Sequence, residues 1–247
     1  MRKIFQTKQA ANEIVIKAHI KEINGKTIVI SSDSDGYPGA FWVDVPGDVA
    51  DLSVFSGGDA VVVHMIDKSS EQNGMKVFQA YRISAHEEQD EPTEHYEVLL
   101  TGAPVISLTD ALSSTMNQLE LQSGGYEWSY KDDGQIVSLA ACGAGPLNQE
   151  ETDSIQVLTI PDYNETEKVI YSMNAVIPPD EAVLKEWDIN DMGNNEAEPK
   201  RTVNYFCRPF FLELKKNAVY EVTALWKESN IDINGFHGNA SYVVKTQ

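Results

Sequence analysis

The sequence predicts an all-β chain: an OB-like five-stranded barrel followed by an antiparallel β-sandwich. Three observations carry that expectation. Apolar and polar residues alternate with period two in short runs bounded by Gly, Asn and Asp, the pattern of half-buried strands. Helix signals are few. An acidic segment at residues 86–94, with Pro92 and no large apolar side chain, divides the 247 residues into two parts of different composition. Up to Ala85 nine basic residues meet ten acidic ones, and from His86 onward ten meet 28, so nearly all of the net charge of -19 lies in the second part. The expected organisation is a barrel domain over residues 1–85, an acidic linker over 86–96 and a sandwich over 97–247.

In the first part, Ile14, Ile16, Ala18, Ile20 and, after a slip, Ile23 share one face, while Lys17, Lys21 and Glu22 are polar. Asn24-Gly25 makes a tight turn into Thr27-Ile28-Val29-Ile30, closing a β-hairpin. A third strand at 40–45 follows the loop 31–39. A fourth at 60–66 follows Phe55-Ser56-Gly57-Gly58-Asp59, and a fifth spans 77–83. Five short strands, with the longest irregular connection between the third and fourth, fit a Greek-key barrel of the OB type. Beyond the linker, strands are expected at 125–131, 136–141, 154–160, 168–177, 184–188, 202–207, 210–214, 219–226 and 240–245. Thr109-Asp110-Ala111-Leu112 reads as the start of a short turn, and residues 178–183 as a loop or one helical turn. Such spacing argues for two packed antiparallel sheets. Tyr220, Val222, Ala224 and Trp226 share one face of the last hairpin, and Trp128 and Trp226 read as core residues.

The acidic balance disfavours attraction to phosphates, and the near-zero charge of the barrel opposes a nucleic-acid-binding role for it. The longest apolar runs are strand-length, far below the ~20 residues of a membrane-spanning helix. Arg2 and Lys3 are not followed by an apolar stretch, so no signal peptide is read; the protein is cytosolic, or exported from a precursor whose leader is not in this sequence. Cys142 and Cys207 are too few for a disulfide scaffold and lack zinc-site spacing, and are expected to be small buried thiols. No phosphate loop, His-Glu-x-x-His or Gly-x-Ser-x-Gly pattern is present, and the five histidines are scattered. Asp33-Ser34-Asp35-Gly36 holds part of a calcium-loop pattern without its remaining ligands and reads as a polar turn. No catalytic residue, metal site or cofactor is expected.

Aromatic residues are more informative. In Phe41-Trp42-Val43-Asp44-Val45, alternation puts Phe41, Val43 and Val45 on one face and Trp42 with Asp44 on the other. If the first face is core, Trp42 is exposed on the sheet that OB barrels use for ligands, where it suits stacking on a sugar ring or a peptide. The alternative packs Trp42 under the Tyr37 loop or against the second domain. Tyr37, Phe41 and Trp42 are the candidate ligand-binding residues.

Gly124-Gly125-Tyr126-Glu127-Trp128-Ser129-Tyr130, Val183-Leu184-Lys185-Glu186-Trp187 with Gly193-Asn194, and Tyr220-Glu221-Val222-Thr223-Ala224-Leu225-Trp226 with Ala240-Ser241-Tyr242 carry a resemblance. Through them the second part resembles exported proteins and lipoproteins of Gram-positive bacteria, especially clostridial gut species. Through Ile23-Asn24-Gly25-Lys26, Gly58-Asp59 and Gln79-Ala80-Tyr81-Arg82-Ile83, the first part is similar to the small OB-like domain of Gram-positive lipoproteins. The resemblance implies an immunoglobulin-like sandwich that follows a lipid anchor or a membrane-embedded sensor peptidase, without assigned catalysis. The lipobox cysteine of such lipoproteins is not in this sequence. The implied function is that of a non-enzymatic, extracytoplasmic binding or interaction protein, with a protein, peptide or glycan of the cell envelope as partner. The competing reading is a hydrolase using carboxylates of the acidic second domain. A concave pocket holding two carboxylates of different burial would discriminate the two.

Overall fold

The computed structural model describes residues 11–34, 36–86, 98–111, 118–148, 155–161 and 168–247. Five strands form the barrel: β1 (Ala11–Asn24), β2 (Thr27–Ser32), β3 (Gly39–Asp44), β4 (Ala60–Gln72) and β5 (Met75–Ala85). They close in the order β1-β2-β3-β5-β4-β1, with β3 and β5 parallel and the other neighbours antiparallel. Closure leaves no edge inside the barrel. The predicted alternation is what fills it: Ile14, Ile16, Ala18, Ile20, Ile28, Ile30, Phe41, Val43, Val61, Val63 and Phe78 form one buried cluster. β4 and β5 run longer than expected because Asn73 and Gly74 both take left-handed backbone angles (φ 52° and 75°), a tight hairpin turn that carries the polar strand ends beyond the core. The linker expected at 86–96 lies outside the described residues except for His86, whose N–H donates to the Ala60 carbonyl at 2.8 Å.

The second part is built from two sheets. β6 (Ile106–Asp110), β7 (Gln118–Leu121), β11 (Val169–Ala175) and β14 (Phe210–Leu214) make a four-stranded sheet in the order β14-β11-β6-β7. β8 (Gly125–Asp132), β9 (Gln135–Ala141), β12 (Glu181–Asp188), β13 (Arg201–Tyr205), β15 (Ala218–Trp226) and β16 (Phe236–Thr246) make the larger layer, ordered β13-β12-β15-β16-β8-β9. The short β10 (Gln156–Leu158) runs parallel to β16, and a single turn of helix, α1 (Asn230–Ile233), precedes β16. Both layers contribute to one apolar core. Trp128 stacks on Phe236 with centroids 5.6 Å apart and meets Trp226 edge-on at 5.2 Å. Their indole N–H groups donate to the carbonyls of Leu100 and Ile177 at 2.8 and 3.0 Å, so neither ring buries an unmet donor.

Several elements differ from the sequence reading. β6 and β7 were not foreseen. Thr109 and Asp110 end β6 instead of opening a turn, because Ile106 and Leu108 face the core in alternation. Glu181–Val183, expected in a loop, opens β12: Ala182 faces the core and the segment pairs with Thr223–Leu225 of β15. The expected strand at 154–160 shortens to three residues. Cys142 is exposed and Cys207 half-buried, correcting the expectation that both are buried; no disulfide joins them.

One strand belongs to both units. Residues 11–15 of β1 pair in parallel with Arg201–Tyr205 of β13, so the barrel and the larger layer of the sandwich form one continuous sheet. Val15, on the outer side of the barrel, lies in the sandwich core, while Phe206 of the sandwich packs on the barrel core.

Candidate functional site

Alternation along β1 and β2 turns Lys17, His19 and Ser31 outward, because Ile16, Ala18, Ile20 and Ile30 fill the barrel. Those outward side chains form one wall of a cleft of about 400 Å³ between barrel and sandwich. The opposite wall is Asp180, Phe206, Cys207, Arg208 and Lys227, and Asp33 and Ser34 stand at the barrel side. Gly36 lets the walls approach this closely: a methyl group built there would overlap the Phe206 ring. Asp180 is fixed by two donors, the Lys227 N–H at 2.8 Å and the Asn230 amide at 2.7 Å. The Lys227 ammonium reaches Glu181 at 3.0 Å and so stands at the rim. Lys17 has no ion-pair partner among the described residues.

The structure separates the three sequence candidates by role. Phe41 is 6% exposed, edge-on to Phe78 at 5.4 Å, and belongs to the barrel core. Tyr37 is half-buried at the end of the barrel, its ring 5.9 Å from Phe78 and 5.6 Å from Phe206, with the Lys76 ammonium 5.8 Å from its centroid. It is therefore a packing contact behind the cleft. Trp42 points away from the core and lies across Val29 and Val77, its partners on either side, with its indole N–H shielded and unpaired. Ser31 pairs with both His19 and Ala40, two residues along the strands from the Val29–Trp42 pair. At ~3.3 Å per residue the Trp42 row is about 7 Å from the cleft row on the same outer face.

Sequence reasoning missed the charged junction where β1 meets β13. Arg201 grips Glu13 with two parallel bonds, Nε to Oε1 and Nη2 to Oε2, each 2.7 Å. Its Nη2 also reaches Glu213 at 3.2 Å, and Lys215 pairs with Glu186 beside it. Burial alone would raise the Glu13 carboxyl, but the Arg201 hydrogen bonds and charge outweigh it and hold the group below the usual carboxylate range. His64 lies on the same side of the barrel, 7% exposed and edge-on to Tyr81 at 5.6 Å. Burial first, and then the charge of Arg82, pushes its imidazole down to about 4. These partners come from positions almost 190 residues apart, so no local pattern announces them.

Among the described residues no group of three His, Cys, Asp or Glu side chains is placed to hold a metal ion, and no helix is long and apolar enough to cross a membrane. No family model, no curated protein and no solved structure matches the chain.

Proposed function

We propose that this chain is a non-enzymatic binding protein that holds an anionic group of a protein, peptide or glycan of the cell envelope in the cleft between barrel and sandwich. One observation carries the reading: Lys17, Arg208 and Lys227, with His19 beside them, outnumber Asp33 and Asp180 along a single cleft of a chain whose net charge is -19. Cations gathered in a concave, partly desolvated site focus their field and attract an anion that the rest of the surface repels. Trp42, on the same outer face and two strands over from the β1 row of Lys17 and His19, supplies an apolar surface for the flat body of an extended ligand whose charged end sits in the cleft. The same reading puts the protein outside the cytoplasm, resting on the resemblance of its short aromatic and turn segments to those of Gram-positive lipoproteins; fractionation of native cells tests that part.

Hydrolysis by carboxylates has one foothold here, since Asp33 and Asp180 face the same cleft. Asp180 is taken up in holding Lys227 and Asn230. The test is calorimetric titration at low salt with sulfate, a uronic-acid oligosaccharide and an acidic peptide. Lys17→Ala lowers affinity for the bound probe about tenfold, the loss of one charge-assisted contact. Trp42→Ala lowers it about threefold to tenfold for the probe with a ring or side-chain body, and leaves sulfate unaffected. Binding by none of the probes, or a turnover abolished by Asp33→Asn, overturns the proposal.

A further inference from the structure

The barrel closes one end of the large sheet on itself, so the sheet's long open edge among the described strands is β9 at the other end. That edge is unusually bare. Residues 135–145 contain no charged residue and no proline in a chain that is 23% charged. Ile136 is 61% exposed and Leu139 39%. Sheet edges in monomeric proteins are commonly blunted with charges, prolines or bulges, because an open row of N–H and C=O groups accepts another strand. β9 pairs with β8 in unbroken register from Gln135 to Ala141.

The side chains along it are sorted by face. Val137, Leu139 and Ala141 lie opposite Tyr130, Trp128 and Tyr126, continuing the apolar layer of the sandwich to its rim. Ile136, Ser138 and Ala140 lie on the outer face beside Lys131, Ser129 and Glu127. Glu127 is exposed, with no ion pair among the described residues, and the small Ala140 leaves room above it. Asp132 and Asp133 stand exposed at the turn into β9.

We propose that β9 is a strand-addition site for an extended polypeptide segment of another protein, with apolar side chains alternating with lysine or arginine. The apolar side chains would lie over Val137, Leu139 and Ala141. The basic ones would cross Ala140 toward Glu127 on the outer face, in the part of the chain from His86 onward that carries 28 acidic residues. A second copy of this chain fits less well. It would bring another net charge of -19 and pair seven residues a side, against the roughly 20–30 of a stable protein interface. A peptide needs only the main-chain ladder and side-chain contacts on alternate positions.

The experiment titrates the full chain with two ten-residue peptides, one alternating valine with lysine and one alternating valine with glutamate, and follows backbone amide exchange. The lysine peptide should bind and slow exchange at β9 amides; the glutamate peptide should not bind. Ile136→Lys, at an exposed position, should abolish binding. Glu127→Gln, also exposed, should weaken it about twofold to fivefold, the worth of one surface ion pair. No binding of the lysine peptide, equal binding of both peptides, protection away from β9, or a concentration-dependent dimer lost in Ile136→Lys would each overturn the proposal.

Discussion

Replacing Arg201 by Met tests how barrel and sandwich are held together. Arg201 is 7% exposed, Glu13 8% and Glu186 3%, so removing the guanidinium leaves two buried carboxylates short of their cation. Glu186 keeps Lys215, but Glu13 loses both of its 2.7 Å bonds. Breaking a buried ion pair from one side costs ~3–5 kcal/mol, most of it the penalty of the orphaned charge. For a chain of this size that lowers the melting temperature by roughly 2–4 °C per kcal/mol, about 6–20 °C in all. The double variant Glu13→Gln/Arg201→Met removes the orphan as well and should regain part of that loss. Thermal and urea unfolding followed by circular dichroism at pH 7 measures both. A single variant melting within about 2 °C of the parent, or a double variant no more stable than the single, would refute the account. Raising the salt concentration should leave the single variant's loss nearly unchanged, since a buried pair is poorly screened.

Stability should also fall as pH drops from about 6.5 to about 4, because the unfolded chain then protonates a His64 that the folded chain keeps neutral. The contribution is up to about 3 kcal/mol, and His64→Phe should flatten that stretch of the pH–stability curve; an unchanged slope would assign it to the carboxylates alone. In the native protein Cys142 should react with a thiol reagent well before Cys207, and unfolding without reductant should expose two thiols; zero thiols would mean a bridge. Cleavage within residues 87–97 should leave fragments that co-elute under native conditions and part only in denaturant, because β1 is hydrogen-bonded to β13 and Val15 sits in the sandwich core. Fragments that separate without denaturant would show that this pairing does not hold the units together.

Local pattern sufficed for the barrel. Ile14, Ile16, Ala18 and Ile20 face inward because period-two alternation leaves them no other buried side, and the same logic puts Trp226 inside, whereas for Trp42 it leaves both an exposed and a packed place open. It failed where pairing partners rather than alternation decide. β6 and the start of β12 carry weak patterns, and became strands because Ile106, Leu108 and Ala182 find a facing layer. For the candidate site, the sequence singled out an aromatic cluster but not the cleft beside it. Lys17 and His19 are ordinary outward residues on β1, and Arg208 and Lys227 ordinary loop residues, until packing sets them across about 400 Å³ of shared space. What the sequence by itself determined was the strand-rich class, the barrel's inner and outer faces and the acidic asymmetry, since each follows from neighbours within a few residues. Only the tertiary structure decided that β1 joins both units, that Glu13 meets Arg201 and that four basic side chains share a cleft, because those encounters span long stretches of chain and depend on how whole layers close.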